Sequence, residues 1–248
     1  SGEHLLSLIN DVLEMSKIEA GRVTLQEKSF DLYRMLDTME EVFRLRANAK
    51  GLDMRLERSE DVPRFVKADE GKLRQVLMNL LGNAVKYTET GHVVTRVFNG
   101  ENTQHLVFEV EDTGPGIAPE ELETVFEPFV QSSSGRRSIE GTGLGLSISR
   151  QFARLMGGDI TVSSQPGRGS TFRCEVPVEI AGASAVEVAK PARRVLGVEP
   201  GQKGLRLLVV DDRDTSRRLL VSLLEPLGFE VREAANGQEA ITIWAQWK

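Results

Sequence analysis

NLLGNAVKYT, residues 79–88, is the stretch on which the reading of this 248-residue chain turns. Its apolar residues keep helical spacing, and Asn79 and Asn83 stand four apart, so both amides share one helix face. Lys86 lies one turn further on, with Tyr87 beside it. Two amide oxygens on one face suit a hard cation such as Mg²⁺. A lysine can neutralise phosphate, and a tyrosine can cover a flat ring. A plain polar helix face has the same composition, so the neighbouring stretches have to decide.

Downstream, EDTGPGI (111–117) ends an alternating strand in Asp112 and turns on Gly114 and Gly116. Glycines there permit a tight turn or close backbone approach. A buried aspartate at a strand end can accept from an exocyclic amine. EGTGLGLSI (140–148) places Gly141, Gly143 and Gly145 ahead of a helix, whose first N–H groups bind anions. The preceding QSSSGRRSIE (131–140) reads as a lid. No Gly-Lys-Ser/Thr follows, which excludes the P-loop pattern, and no strand leads in directly, which excludes a dinucleotide fingerprint.

Around these lie alternating elements. Strands are expected in RVTLQEKSF (22–30), LDMRLE (52–57), RFVKA (64–68), GHVVTRVFNG (91–100) and TQHLVFEVEDTG (103–114), with a hairpin around Pro166-Gly167. Helices are expected in 31–51, capped by Asp31 and Gly51, in 69–88, and in 141–158. This mixture predicts an α/β sandwich with helices on one face of a mixed sheet. The opening SGEHLLSLINDVLEMSKIEAGR (1–22) reads as one amphipathic helix stopped at Gly21, its broad apolar face suited to a bundle. Residues 181–204 read as an Ala/Gly/Pro-rich linker. Residues 205–248 read as a βαβα start to a doubly wound domain.

The totals exclude several classes. Net charge is −6 with no long basic run, so no nucleic-acid partner is expected. No run of about 18 apolar residues is present, so no membrane span is expected. The single cysteine, Cys174, suits a reducing compartment.

Taken in order, NLLGNAVKYT, DTGPGI, FEPF (126–129) and GTGLGLSI, followed by GRGSTF (167–172), resemble the N, G1, F and G2 boxes of the sensor histidine kinase catalytic domain. The resemblance covers roughly residues 1–180. It implies the two-layer α/β sandwich shared with gyrase and the Hsp90 chaperones, with ATP and Mg²⁺ bound. It places Asp112 on the adenine amine and Tyr87 and Ile117 along the base. Asn79 and Asn83 would hold Mg²⁺ and phosphate, and Lys86 would reach the phosphates. Gly114 and Gly116 would shape the base side. Gly141, Thr142, Gly143 and Gly145 would close over the phosphates, with Leu144 and Leu146 packing the lid down. Thr171 would sit near adenine through water, and Phe126 and Phe129 would anchor the lid base.

The wider fold family includes ATPases that carry a glutamate base four residues before the metal-binding asparagine. Here that position is Asn79, and an amide cannot take a proton from water. The expectation is therefore a protein-histidine kinase, with an ATP-hydrolysing enzyme or a non-catalytic nucleotide-binding module as alternatives. The family's acceptor histidine is followed by an acid and then a proline, but His4 is followed by Leu5, Leu6 and Ser7. His4 is thus expected to be a polar flank on the second helix of a dimerisation hairpin. The acceptor would lie upstream of Ser1, so this chain should not autophosphorylate. Residues 205–241 resemble the first part of a flavodoxin-like receiver domain, with Asp211 and Asp212 as its metal-binding acids; the phosphoacceptor strand is not reached. The expected organisation is 1–22 hairpin helix, 23–180 catalytic domain, 181–204 linker and 205–248 partial receiver. Expected partners are ATP, the acceptor helix of the same protein as a homodimer, and a receiver or response regulator. A cytoplasmic location is expected, which allows for a parent held to a membrane by a further N-terminal region.

Overall fold

The structure is a computed structural model, and it describes residues 2–101, 104–130, 142–182 and 205–247. It divides into two compact units, residues 1–187 and 188–248.

The first unit opens with helix α1 (Gly2–Glu19). Gly21 has φ +62°, and the crossed bonds Arg22 N to Lys17 O and Gly21 N to Ile18 O close the helix end. Strand β1 (Lys28–Asp31) leads into α2 (Leu32–Ala49), whose first turn is capped by Asp31 accepting from Arg34 N. β2 (Asp53–Arg58) and β3 (Phe65–Ala68) precede α3 (Glu70–Tyr87). The hairpin β4 (His92–Asn99) and β5 (His105–Asp112) follows, then α4 (Gly145–Leu155), the hairpin β6 (Asp159–Gln165) and β7 (Gly169–Pro177), and the short β8 (Glu179–Ile180).

The large sheet has the order β2-β4-β5-β7-β6, with β2 parallel to β4 and the other pairs antiparallel. Alternation sets its inner face. Val93, Val97, Leu106, Phe108, Val110, Phe172, Cys174 and Ile160 point one way and are buried. Against them pack Leu36, Met39 and Phe43 from α2, Leu73, Leu77 and Leu80 from α3, and Ile148 and Phe152 from α4. The outer face is charged, with Arg96 between Glu57 and Glu111 and Arg173 between Glu109 and Glu175. One sheet face therefore makes the core and the other meets solvent, as expected for a two-layer sandwich.

Two expectations need correction. The strand expected over 22–30 is strand only from Lys28, because the Gln26 N–H is taken by the Asp69 carboxylate instead of a neighbouring strand. β1 and β3 also do not join the large sheet; with β8 they form a separate antiparallel sheet, β1-β3-β8.

The second unit contains β9 (Arg206–Val210), α5 (Asp214–Leu224), β10 (Glu230–Ala234) and α6 (Gly237–Gln246). β9 and β10 are parallel, paired from Arg206–Glu230 to Val210–Ala234. Asn236 caps α6 by accepting from Glu239 N, and Glu239 reaches back to Ala235 N, a reciprocal capping arrangement.

Candidate functional site

The first unit's candidate residues lie where α3, α4 and the ends of β5 and β7 converge. α3 is fixed at both ends. At its start, Asp69 accepts from Lys72 N (3.0 Å) and Gln26 N (2.8 Å). At its end, the Lys50 Nζ donates to the carbonyls of Val85 (2.7 Å), Lys86 (2.8 Å) and Thr88 (3.1 Å). These are the carbonyls a helix leaves without partners, and a cation there also complements the helix dipole. Lys50 is a residue that sequence reasoning missed. The available signal was a lysine beside the glycine that ends the preceding helix.

Asn79 and Asn83 are half-buried in the middle of α3, one turn apart. The Asn79 Nδ2 donates to Ser149 Oγ on α4 (2.9 Å), and among the described residues Oδ1 accepts no hydrogen bond. That oxygen lies against Gly145, the first residue of α4; a Cβ there would stand 2.5 Å from it. Lys86 Nζ lies 5.0 Å from the centre of the Tyr87 ring.

Asp112 is buried at the end of β5. Its carboxylate accepts from Gly114 N (2.8 Å) and is also met by the Ser170 amide. Burial pushes its pKa above the ordinary carboxylate value; the two amides oppose this, and Glu111 adds to it. The Gly114–Ile117 turn rests on the β6–β7 hairpin. Gly116 has φ +72°, and any side chain there would run into the Gln165 carbonyl. Ile117 is buried and donates its N–H to Ser164 Oγ (2.8 Å), which is itself bonded to the Gly169 carbonyl and Ser170 Oγ.

Thr171 is misplaced by the sequence reading. It pairs with Glu111 and Ser163 on the outer face of the sheet, whereas Ser170 pairs with Asp112 on the inner face. A strand alternates its side chains, so a one-residue error changes the face. Counting back from the buried Cys174 and Phe172 would have found Ser170. Phe129 differs from Phe126. Its ring is 67% exposed, while its backbone, at φ +63°, donates to the Gly143 carbonyl (3.0 Å); the stretch it was expected to anchor lies outside the described residues. Phe126 does pack, edge-on against Phe172 and under the Arg150 guanidinium.

At the head of α4, Gly143 has φ +72° and would clash with the Phe129 backbone if it bore a Cβ. Leu144 is fully buried and Leu146 packs on the core. The Thr142 hydroxyl donates to Asp11 of α1 (3.1 Å) and accepts from Leu144 N. Burial raises the Asp11 carboxyl, the Thr142 hydroxyl opposes that, and Glu14 adds to it. Glu14 in turn meets Lys72 and Gln75 of α3 (both 2.8 Å). Gly141 and the stretch expected to form a lid, 131–140, lie outside the described residues.

In the second unit Asp211 accepts from Arg213 N (2.7 Å), and Asp212 is exposed beside it. Among the described residues no group of three or more His, Cys, Asp or Glu is placed to hold a metal ion, and no helix is long and apolar enough to cross a membrane.

The large mixed sheet, the paired amides on α3 and the buried aspartate at a strand end define an ATP-binding sandwich. Residues 68–180 match the family described as histidine kinase-, DNA gyrase B- and HSP90-like ATPase. The chain is 35% identical over 249 residues to the autoinducer 2 sensor kinase/phosphatase LuxQ of Vibrio parahaemolyticus, covering 97% of this chain and 29% of that protein. It is 38% identical to the circadian input-output histidine kinase CikA of Synechococcus elongatus, covering 97% of this chain and 31% of that protein. Among solved structures it is similar to full-length ShkA in complex with AMPPNP, at TM-score 0.66 and 32% identity, covering 98% of this chain and 48% of that one. It is also similar to the catalytic domain of histidine kinase ThkA, at TM-score 0.52 and 29% identity, covering 61% of this chain and 97% of that one. Residues 68–180 therefore form an ATP-binding domain of the type found in sensor histidine kinases. The chain spans about a third or less of the curated relatives it matches.

Proposed function

We propose that this chain binds Mg·ATP and passes the γ-phosphate to a histidine on a separate segment, for relay to an aspartate. The observation that carries this reading is Asn79. An amide, held by Ser149, stands where water activation needs a carboxylate. Transfer then rests on positioning and charge neutralisation.

Asp112 would take the adenine amine, with Tyr87, Ile117, Gly114 and Gly116 around the base. Asn79 and Asn83 would supply amide oxygens to Mg²⁺. Two neutral oxygens are a partial shell, so the ion would share them with phosphate oxygens and water, as Mg²⁺ commonly does. Asn79 Oδ1, which accepts no hydrogen bond among the described residues, fits that role. Lys86 and the first N–H groups of α4 would meet the phosphates, with Gly141 to Leu146 closing over them. The organisation proposed is 1–22 hairpin helix, 23–180 catalytic domain, 181–204 linker and 205–248 the first part of a receiver, with Asp211 and Asp212 as its acids. The acceptor helix would belong to a homodimer of the whole protein. His4 is not proposed as acceptor, since Leu5 and Leu6 follow it where an acid would stand.

The test is incubation with γ-labelled ATP and Mg²⁺, with and without a supplied acceptor-histidine hairpin. Acid-labile label on the hairpin, none on this chain and slow phosphate release are expected. Steady phosphate release without acceptor would establish the water-splitting alternative. Bound ATP with no transfer to any acceptor would establish a binding module.

A further inference from the structure

α1 meets the rest of its unit through a narrow strip. Leu8, Met15 and Ile18 lean on the core, yet no described residue of α1 is fully buried, and Leu6, Ile9, Val12 and Leu13 are exposed. So little apolar contact makes a weak attachment, and polar ties fix its place. One tie is Glu14, which accepts from Lys72 Nζ and Gln75 Nε2 (both 2.8 Å); Lys72 Nζ also lies 3.9 Å from the centre of the Phe152 ring. The other is Asp11, which accepts from the Thr142 hydroxyl (3.1 Å). The same hydroxyl oxygen accepts from Leu144 N (3.3 Å), and Leu144 is the residue that opens α4. The head of a helix attracts anions, and its outermost N–H groups are the donors a phosphate needs. Here the Leu144 N–H is covered by the Thr142 hydroxyl, and the anion that reaches the helix end through that hydroxyl is Asp11. A phosphate arriving there meets a donor in use and a like charge beyond it.

We propose that Asp11 is a regulatory contact, through which docking of α1 and binding of nucleotide phosphates oppose each other at Thr142. Phosphate takes the Leu144 N–H, the Thr142 hydroxyl turns from Asp11, and α1 loses one of its two polar ties. The coupling is reciprocal: whatever factor docked α1 takes from phosphate affinity, bound phosphate takes from the docking of α1. ATP at the head of α4 thus loosens α1, while Glu14 keeps it near α3. The proposal rests on the reading of residues 68–180 as binding ATP with its phosphates at α4.

The test compares the affinities of ATP and of adenosine, which lacks the phosphates, for the wild-type chain, Asp11→Ala and Asp11→Asn. Asp11→Ala is expected to tighten ATP about fivefold and leave adenosine unchanged. Asp11→Asn keeps an acceptor oxygen but drops the charge, and a smaller gain is expected. Hydrogen exchange of the wild type reads the coupling from the other side: Mg·ATP should speed exchange at 8–18, and adenosine should not. Equal tightening of ATP and adenosine, tightening of neither, or exchange at 8–18 unmoved or slowed by Mg·ATP would overturn the Asp11 contact while leaving the ATP site standing. A wild-type chain that binds neither ligand would overturn both.

Discussion

In residues 1–187, three helices cover one face of a five-stranded sheet, and Leu32, Leu73, Val76, Phe108 and Phe152 reach zero exposure. In residues 188–248, two strands and two helices alternate in the same manner, yet Val209, Ala234 and Trp247 are the buried hydrophobic residues described. Leu219, Leu223, Ile241 and Trp244 of that unit are each more than half exposed. The difference teaches what closes an α/β unit. Helices bury an apolar stripe only when the sheet beneath them is wide enough to receive it. The first unit is held by contacts far apart in sequence. The second rests on the two-stranded β9–β10 pairing and on polar ties, among them Arg206 to the Trp247 carbonyl, Trp247 Nε1 to Glu230 and the Asn236–Glu239 caps.

The strongest way to break that contrast is truncation in each unit. Phe152→Ala should cost the first unit about 3–5 kcal/mol, as large-to-small changes do at sealed positions. Leu223→Ala in the second unit should cost less than about 1 kcal/mol, because its side chain is already largely in water. Denaturant melts followed separately in the two units would measure both. Similar costs would mean the second unit is sealed in solution.

The next effect belongs to the site. Asp112→Asn should weaken ATP binding by about 10- to 100-fold, the scale of a charge-assisted hydrogen bond, without touching the second unit. Titration calorimetry would read it. The pH dependence follows from the raised Asp112 pKa, caused first by burial. An amine donates to the ionised carboxylate, so ATP affinity is full above that pKa and falls as the pH drops through it. Folding has the opposite sign. The folded state penalises the charge, so this contribution favours the first unit at low pH and is lost as pH rises to the raised value. Asp112→Asn should flatten both profiles.

How much of this was legible in sequence depended on the period being read. The boxes at 79–88, 111–117 and 142–148 were found because glycine, asparagine and aspartate are rare in such spacings. α3 and the five long strands followed from hydrophobic periodicity. What failed was what periodicity does not carry. Thr171 was taken for Ser170 because two adjacent hydroxyl residues look alike until the register fixes their faces. The small β1-β3-β8 sheet was missed because β8 is two residues long. Lys50 was missed because its three acceptors lie 35 to 38 residues away.

Lys50 supplies a smaller test. Lys50→Met should lower the first unit's stability by about 1–2 kcal/mol and speed amide exchange at the end of α3, where the carbonyls lose their cation. Lys50→Arg should recover part of this. The smallest expected signal is at Cys174, which is buried on the core face and whose thiol burial pushes up to about 12. Alkylation at pH 8 should be negligible in the native state and appear only when the first unit unfolds. Rapid labelling would show that the better-packed unit opens readily.

The most direct measurement of the central claim is hydrogen exchange on the whole chain with and without saturating Mg·ATP. Slowed exchange is expected at 83–88, 112–117 and 142–146, with residues 205–247 unchanged. Identical exchange in both conditions, or protection confined to 205–247, would contradict the assignment of a nucleotide site to the first unit.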